Sequence, residues 1–169
     1  MKKVAVFGKP GSGKSTVSKA LASTMGLPLH QLDSIVYKPN GELVDREEFD
    51  FAHNEIIRSD AWIIDGFGPI SSFYERLAAA DTLVYIDLPY SVSYWFVTKR
   101  FLKGLFIKPE GWPDGSSVFK GTLNSYKTLK LCPRFWNDDF TSQLIEYSSS
   151  KNVYIIKTVS ELNDFTLTQ

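Results

Sequence analysis

The stretch GKPGSGKS, Gly8 to Ser15, sets a lysine and a hydroxyl directly behind three glycines. The spacing Gly-x-x-x-x-Gly-Lys-Ser is that of a backbone built to hold a triphosphate. Gly8, Gly11 and Gly13 let the chain curl until successive N–H groups point into one hollow, where a side chain would collide with phosphate oxygens. A helix opening at Lys14 adds its positive end to the same point. In this arrangement the Lys14 ammonium reaches the β- and γ-phosphates, the Ser15 hydroxyl ligates Mg2+, and Thr16 lies beside that site. The candidate nucleotide-binding residues are therefore Gly8, Pro10, Gly11, Ser12, Gly13, Lys14, Ser15 and Thr16. An apolar strand before the pattern and a helical pattern after it make a chance match rare, so a nucleoside triphosphate with Mg2+ is the expected ligand. The guanine-reading Asn-Lys-x-Asp pattern is absent, which argues against a GTPase.

Phosphoryl transfer also needs an acid for the metal, a group facing the acceptor, and cations for the charge on the transferred group. In an α/β sheet, ligands lie outside the carboxyl ends of the strands. Three acids are expected there: Asp33, Asp65 and Asp87. Asp65 ends an apolar run and precedes a glycine, as suits an acid that supports Mg2+ directly or through water, with helix capping as the competing role. Asp33, in His30-Gln31-Leu32-Asp33-Ser34, is placed to accept a proton from an attacking hydroxyl or to orient a ribose, and ordinary turn chemistry competes with both. Asp87, before Leu88-Pro89, reads as a strand-end turn residue. His30 is expected inside a strand and His53 on a solvated helix surface. Between Lys99 and Arg134 there are eight Lys or Arg against two acids, an excess of six positive charges balanced by six negative ones elsewhere. Among Arg100, Lys103, Lys127 and Arg134, the arginines are preferred for their planar, bidentate donors. The candidate catalytic residues are thus Lys14, Asp33, Arg100 and Arg134, and the candidate metal ligands Ser15 and Asp65.

Short apolar runs at 2–7, 27–32, 61–65, 82–88 and 152–157 alternate with helical patterns at 14–25, 46–59, 70–80, 91–106, 117–131, 138–149 and 159–167. Continuous apolar strands suit a parallel sheet covered on both faces, so the expected class is α/β with five parallel strands. Gly26 and Pro28 mark the end of the first helix. The irregular stretch 103–117 carries three glycines and two prolines and reads as a lid insert, at about 100–117, on one domain spanning 1–169.

A chain of 169 residues, 43% hydrophobic, can bury one sizeable core. Zero formal net charge argues against a chain coated in positive charge for nucleic acid. Tyr94, Trp95, Trp112, Tyr126 and Trp136 interleave with the basic stretch, but aromatics at helical spacing are more often core. A lone Cys132 with no metal-ligand spacing reads as a small buried hydrophobe in a reduced compartment. No apolar run is long enough to cross a bilayer, so a cytoplasmic monomer or dimer without a membrane partner is expected.

GKPGSGKS, HQLD, IIDGF, VYIDLP and the helix around Lys99-Arg100, in that order, resemble the adenylate-kinase-like nucleoside and nucleotide kinases. The chain looks closest to the bacterial branch labelled "DNA topology modulation protein". The resemblance runs from Lys3 to about Asp139 and implies a three-layer α/β/α P-loop fold, ATP as donor, Mg2+, an acceptor pocket between the second and third strands, and a basic lid. Adenylate kinases follow Asp-Gly-Phe with Pro-Arg, whereas this chain has Gly68-Pro69. The expected function is ATP-dependent transfer to a small acceptor such as a nucleoside or nucleotide. The alternatives are a nucleotide-binding regulator with weak ATPase activity and an ATP-dependent protein associated with nucleic acid.

Overall fold

Val4, Ala5, Val6 and Phe7 are wholly buried because their strand, β1 (Lys3–Gly8), runs through the middle of a sheet covered on both faces. The computed structural model describes residues 1–36, 38, 42–104 and 118–168. Around β1 lie β2 (Leu29–Gln31), β3 (Trp62–Asp65), β4 (Thr82–Ile86) and β5 (Asn152–Ile156), in the order β2-β3-β1-β4-β5 with every pair parallel. Parallel register puts all five carboxyl ends on one edge. The turns after β1, β2, β3 and β4, with Lys14, Asp33, Asp65 and Asp87, therefore share that edge.

The helices divide between the two faces by which strand side chains they meet. Val4 and Val6 point into a core with Val17 and Leu21 of α1 (Lys14–Met25) and Leu162 of α8 (Val159–Thr168). Ala5 and Phe7 point the other way, into a larger core under α3 (Arg46–Arg58), α4 (Ile70–Ala79) and α7 (Asp138–Tyr147). The three-layer α/β/α architecture follows. Phe7 lies at the centre of an aromatic cluster, stacked at 5.6 Å on Tyr85 and 6.1 Å on Trp136, with Phe73 edge-on at 5.2 Å. Such pairs add to the burial of their area.

α1 occupies the expected residues and ends at Gly26, whose φ of +66° places it in the left-handed conformation that closes helices. α5 (Tyr90–Gly104) and α6 (Val118–Leu131) pack as a pair. The expected lid beyond Gly104 lies outside the described residues. Two elements are additional: α2 (Asp33–Val36) and a 3-10 helix at Cys132–Arg134. Cys132 is buried, as expected. Of the aromatics, Trp136 is core, Tyr126 stacks on Tyr94 at 5.8 Å, and Trp95 is exposed. Among the described residues no helix is long and apolar enough to cross a membrane.

His53 corrects one expectation. It is wholly buried rather than solvated, because it falls on the inward stripe of α3 with Phe49, whose ring stacks on it at 5.7 Å. Burial, and then the nearby Arg76 cation, lower its pKa to about 4, against a weaker opposite pull from Asp50; Arg46 adds to the lowering. The folded protein thus holds His53 neutral, while the unfolded chain takes up the proton at about pH 6.5. This stabilisation is full above that value and is lost as pH falls toward about 4. The expected loss is about 2 kcal/mol between about pH 7 and about pH 4.5. Urea unfolding at the two pH values checks it: His53→Gln should flatten that part of the profile, and an unchanged slope would refute the assignment.

Candidate active site

The loop between β1 and α1 wraps around the Lys14 side chain. Its ammonium donates to the Lys9 carbonyl at 2.8 Å, and the Ser12 amide donates to the same oxygen at 3.3 Å. Gly11 and Gly13 have φ values of +69° and +88°, and a Cβ on Gly11 would lie 2.5 Å from the Ser93 carbonyl oxygen. Glycine is required there on both counts. The amides of Gly11, Gly13, Lys14 and Ser15 donate to no group among the described residues. Four unpaired donors at the positive end of a helix of twelve residues form an anion cradle.

Facing the cradle, Asp65 ends β3 almost wholly buried. Burial pushes its pKa up, opposed by the Lys14 charge and by hydrogen bonds from Ser15 and Gln31, while Asp33 adds a small push in the same direction as burial. Lys14 shows the reciprocal pattern: burial lowers its pKa, Asp65 and then Asp33 raise it, and Arg100 lowers it. Lys14, Ser15, Asp33, Asp65 and Arg100 thus form one electrostatic group, drawn from α1, α2, the end of β3 and α5. Asp33 is exposed at the start of α2, and Arg100 donates to Ser125 Oγ at 2.9 Å. Arg134, exposed at the end of the 3-10 helix, is not among the charges that act on Lys14 or Asp65. His30 is half-buried in β2 and its pKa is lowered by burial.

For Mg2+ the donors fit. Ser15 and Asp65 offer only oxygens, the hydroxyl reaches the carboxylate, and Asp65 Oδ1 is buried with no hydrogen-bond partner among the described residues.

Two buried cations were not foreseen. Lys9, 2% exposed, forms an ion pair with Asp87 and lies 4.7 Å from the centre of the Tyr90 ring. Asp87 is therefore not a plain turn residue: it anchors the phosphate loop to the end of β4. A second lysine inside the Gly-rich pattern was the only available signal. Arg76, wholly buried in α4, falls on the helix stripe shared by Phe73 and Leu77, and an arginine on an apolar stripe could have drawn notice.

No protein-family model and no curated protein sequence matches the chain. Solved structures do. Shikimate kinase from Acinetobacter baumannii, in complex with shikimate, superposes with a TM-score of 0.60 at 18% identity, over 99% of this chain and 89% of its own. The chain shares the three-layer α/β/α fold of this kinase. Shikimate kinase from Bacteroides thetaiotaomicron gives 0.56 at 14% identity over 97% and 93% of the two chains, and a gluconokinase from Sinorhizobium meliloti gives 0.51 at 18% over 98% and 87%. In this fold the unpaired amides, the buried acid and Asp33 lie at the carboxyl edge of the parallel sheet, the edge at which open α/β sheets bind ligands.

Proposed function

We propose that the protein is a Mg2+- and ATP-dependent kinase that moves the γ-phosphoryl group to a hydroxyl of a small acceptor. The observation that carries this reading is the convergence of Lys14, Ser15, Asp65, Asp33 and Arg100 on one edge of the sheet. The four free amides and Lys14 hold the phosphate oxygens, and Ser15 with Asp65 would hold the metal. When bound, Mg2+ neutralises charge on the β- and γ-oxygens. Asp33 takes the proton of the attacking hydroxyl, and Arg100 supplies positive charge to the transferred group. Arg134, exposed at the end of the 3-10 helix, is the second arginine this reading assigns to the charge of the transferred group.

The structural neighbours include kinases whose names specify shikimate and gluconate, which favours a hydroxylated acid, a sugar or a nucleoside over AMP. In this reading residues 1–169 form one domain with a lid at about 100–117. It works in the cytoplasm as a monomer or dimer, without a membrane or nucleic-acid partner. Its tie to the topology-modulation branch rests on the five sequence motifs.

Coupled ADP release across a panel of nucleosides, nucleoside monophosphates, sugars and hydroxy acids tests the proposal. One acceptor class should raise the rate by about 10²-fold or more over water, as positioning of a bound hydroxyl allows. A flat panel with slow, steady hydrolysis would favour a nucleotide-dependent switch. DNA binding that collapses on adding salt would favour the nucleic-acid alternative.

A further inference from the structure

Arg76 is wholly buried, and among the described residues no carboxylate lies within ion-pair distance of it, the charge of Asp65 reaching it only at longer range. Its Nη2 donates to two backbone carbonyls of the turn after β3, Gly66 O at 3.0 Å and Phe67 O at 2.8 Å. Nη1 lies 3.4 Å from His53 Nε2, and the guanidinium sits 5.4 Å from the Phe73 ring centre. Because a guanidinium only donates, that contact assigns Nε2 as the acceptor and leaves the proton of neutral His53 on Nδ1. Burying a cation without a paired carboxylate is costly, and a leucine here would extend the Phe73–Leu77 stripe without that cost. What the charge does is hold the turn.

The turn is shaped to pass that constraint onward. Gly66 and Gly68 have φ values of +125° and +66°. A Cβ on either would come within 3.1 Å of the Leu32 side chain, and the Leu32 amide donates to the Asp65 carbonyl at 2.9 Å. Leu32 is buried and immediately precedes Asp33. Phe67 is held from its other end, its ring 4.8 Å from Phe73 and 4.9 Å from Phe135. Planar trans peptides point N–H opposite to C=O. With the Gly66 and Phe67 carbonyls drawn onto Arg76, the Phe67 and Gly68 amides face away from it, and neither donates to a group among the described residues.

We propose that Arg76 is a positioning residue for the acceptor side of the site, a buried cation that clamps the 65–68 turn from beneath and, through Leu32, fixes the place of Asp33. This rests on the kinase reading for its catalytic consequence but not for its structural one. Arg76→Met and Arg76→Lys test it. In nucleotide-free Arg76→Met, amide exchange at Leu32 and Gly66, which donate to Asp65 O and Val6 O, should speed by about tenfold or more as the turn opens locally. With the acceptor found by the panel, its KM should rise by about tenfold or more while Mg·ATP affinity by calorimetry stays within about threefold, and Arg76→Lys should recover part of the loss. Unchanged exchange at Leu32 and Gly66, or an equal loss of ATP affinity and acceptor KM, would overturn the assignment. Faster exchange with a flat acceptor panel would uphold the clamp and count against the kinase reading alone. Should Arg76→Met not fold, the same comparison between Arg76→Lys and wild type decides the matter.

Discussion

Replacing Lys14 by alanine should lower acceptor-dependent ADP release by about 10³-fold or more, the order expected when a preorganised cation is removed from a transferring phosphoryl group. Among the described residues no neighbour can take its place. Lys9 is committed to Asp87 and buried against Tyr90, and Arg100 is held by Ser125 and directed to Asp33. Lys14 is also the principal charge opposing the burial penalty on Asp65, so its loss drives that acid further toward its neutral form and weakens the metal site at the same time. The variant should still fold, because among the described residues the Lys14 side chain makes one hydrogen bond, to the Lys9 carbonyl, and belongs to neither core. Circular dichroism of the variant and its turnover under saturating Mg·ATP separate the two effects. A folded Lys14→Ala protein with wild-type turnover would remove the basis for the phosphate-loop assignment.

Asp33→Asn carries the second-largest expectation. Acceptor-dependent turnover should fall by about 10²–10⁴-fold, the usual worth of a positioned general base. Mg·ATP affinity should change little, since Asp33 is exposed at the head of α2 and reaches Lys14 and Arg100 only through electrostatics. The asparagine keeps the shape and the turn-forming chemistry of the side chain, so a purely structural Asp33 would leave turnover nearly intact. Parallel loss of ATP binding would instead make Asp33 part of the nucleotide pocket.

The framework was legible because the residues that write it are local. Gly13 and Gly26 bracket α1, and the runs around Val4–Phe7, Ile63–Ile64 and Leu83–Ile86 are apolar without alternation because both faces of the sheet are covered. The P-loop was legible for the same reason. β2 ends at Gln31 because Leu32 leaves the strand to open α2, where Ile35 and Val36 donate to its carbonyl at 2.9 and 2.8 Å, and four residues carry too little pattern to announce a helix. His53 was misread from its polar neighbours, although Phe49, His53 and Ile56 share a helical stripe. The partners of Lys9 and Arg76 lie beyond local reading: Asp87 is 78 residues from Lys9, and the carbonyls that Arg76 holds belong to a turn whose shape only the fold defines.

The close seat of Gly11 on α5 bears on how variants of proteins with this fold can be built. A Cβ there would meet the Ser93 carbonyl at 2.5 Å and the Val97 side chain at 2.8 Å. The root of α5 is therefore structurally part of the phosphate loop, and the same turns of α5 already pack on α6, where Tyr94 stacks on Tyr126. Recombining the α5–α6 pair between proteins of this fold therefore carries the seat of Gly11 with it: no crossover between Ser93 and Val97 separates the contact with the phosphate loop from the contact with α6.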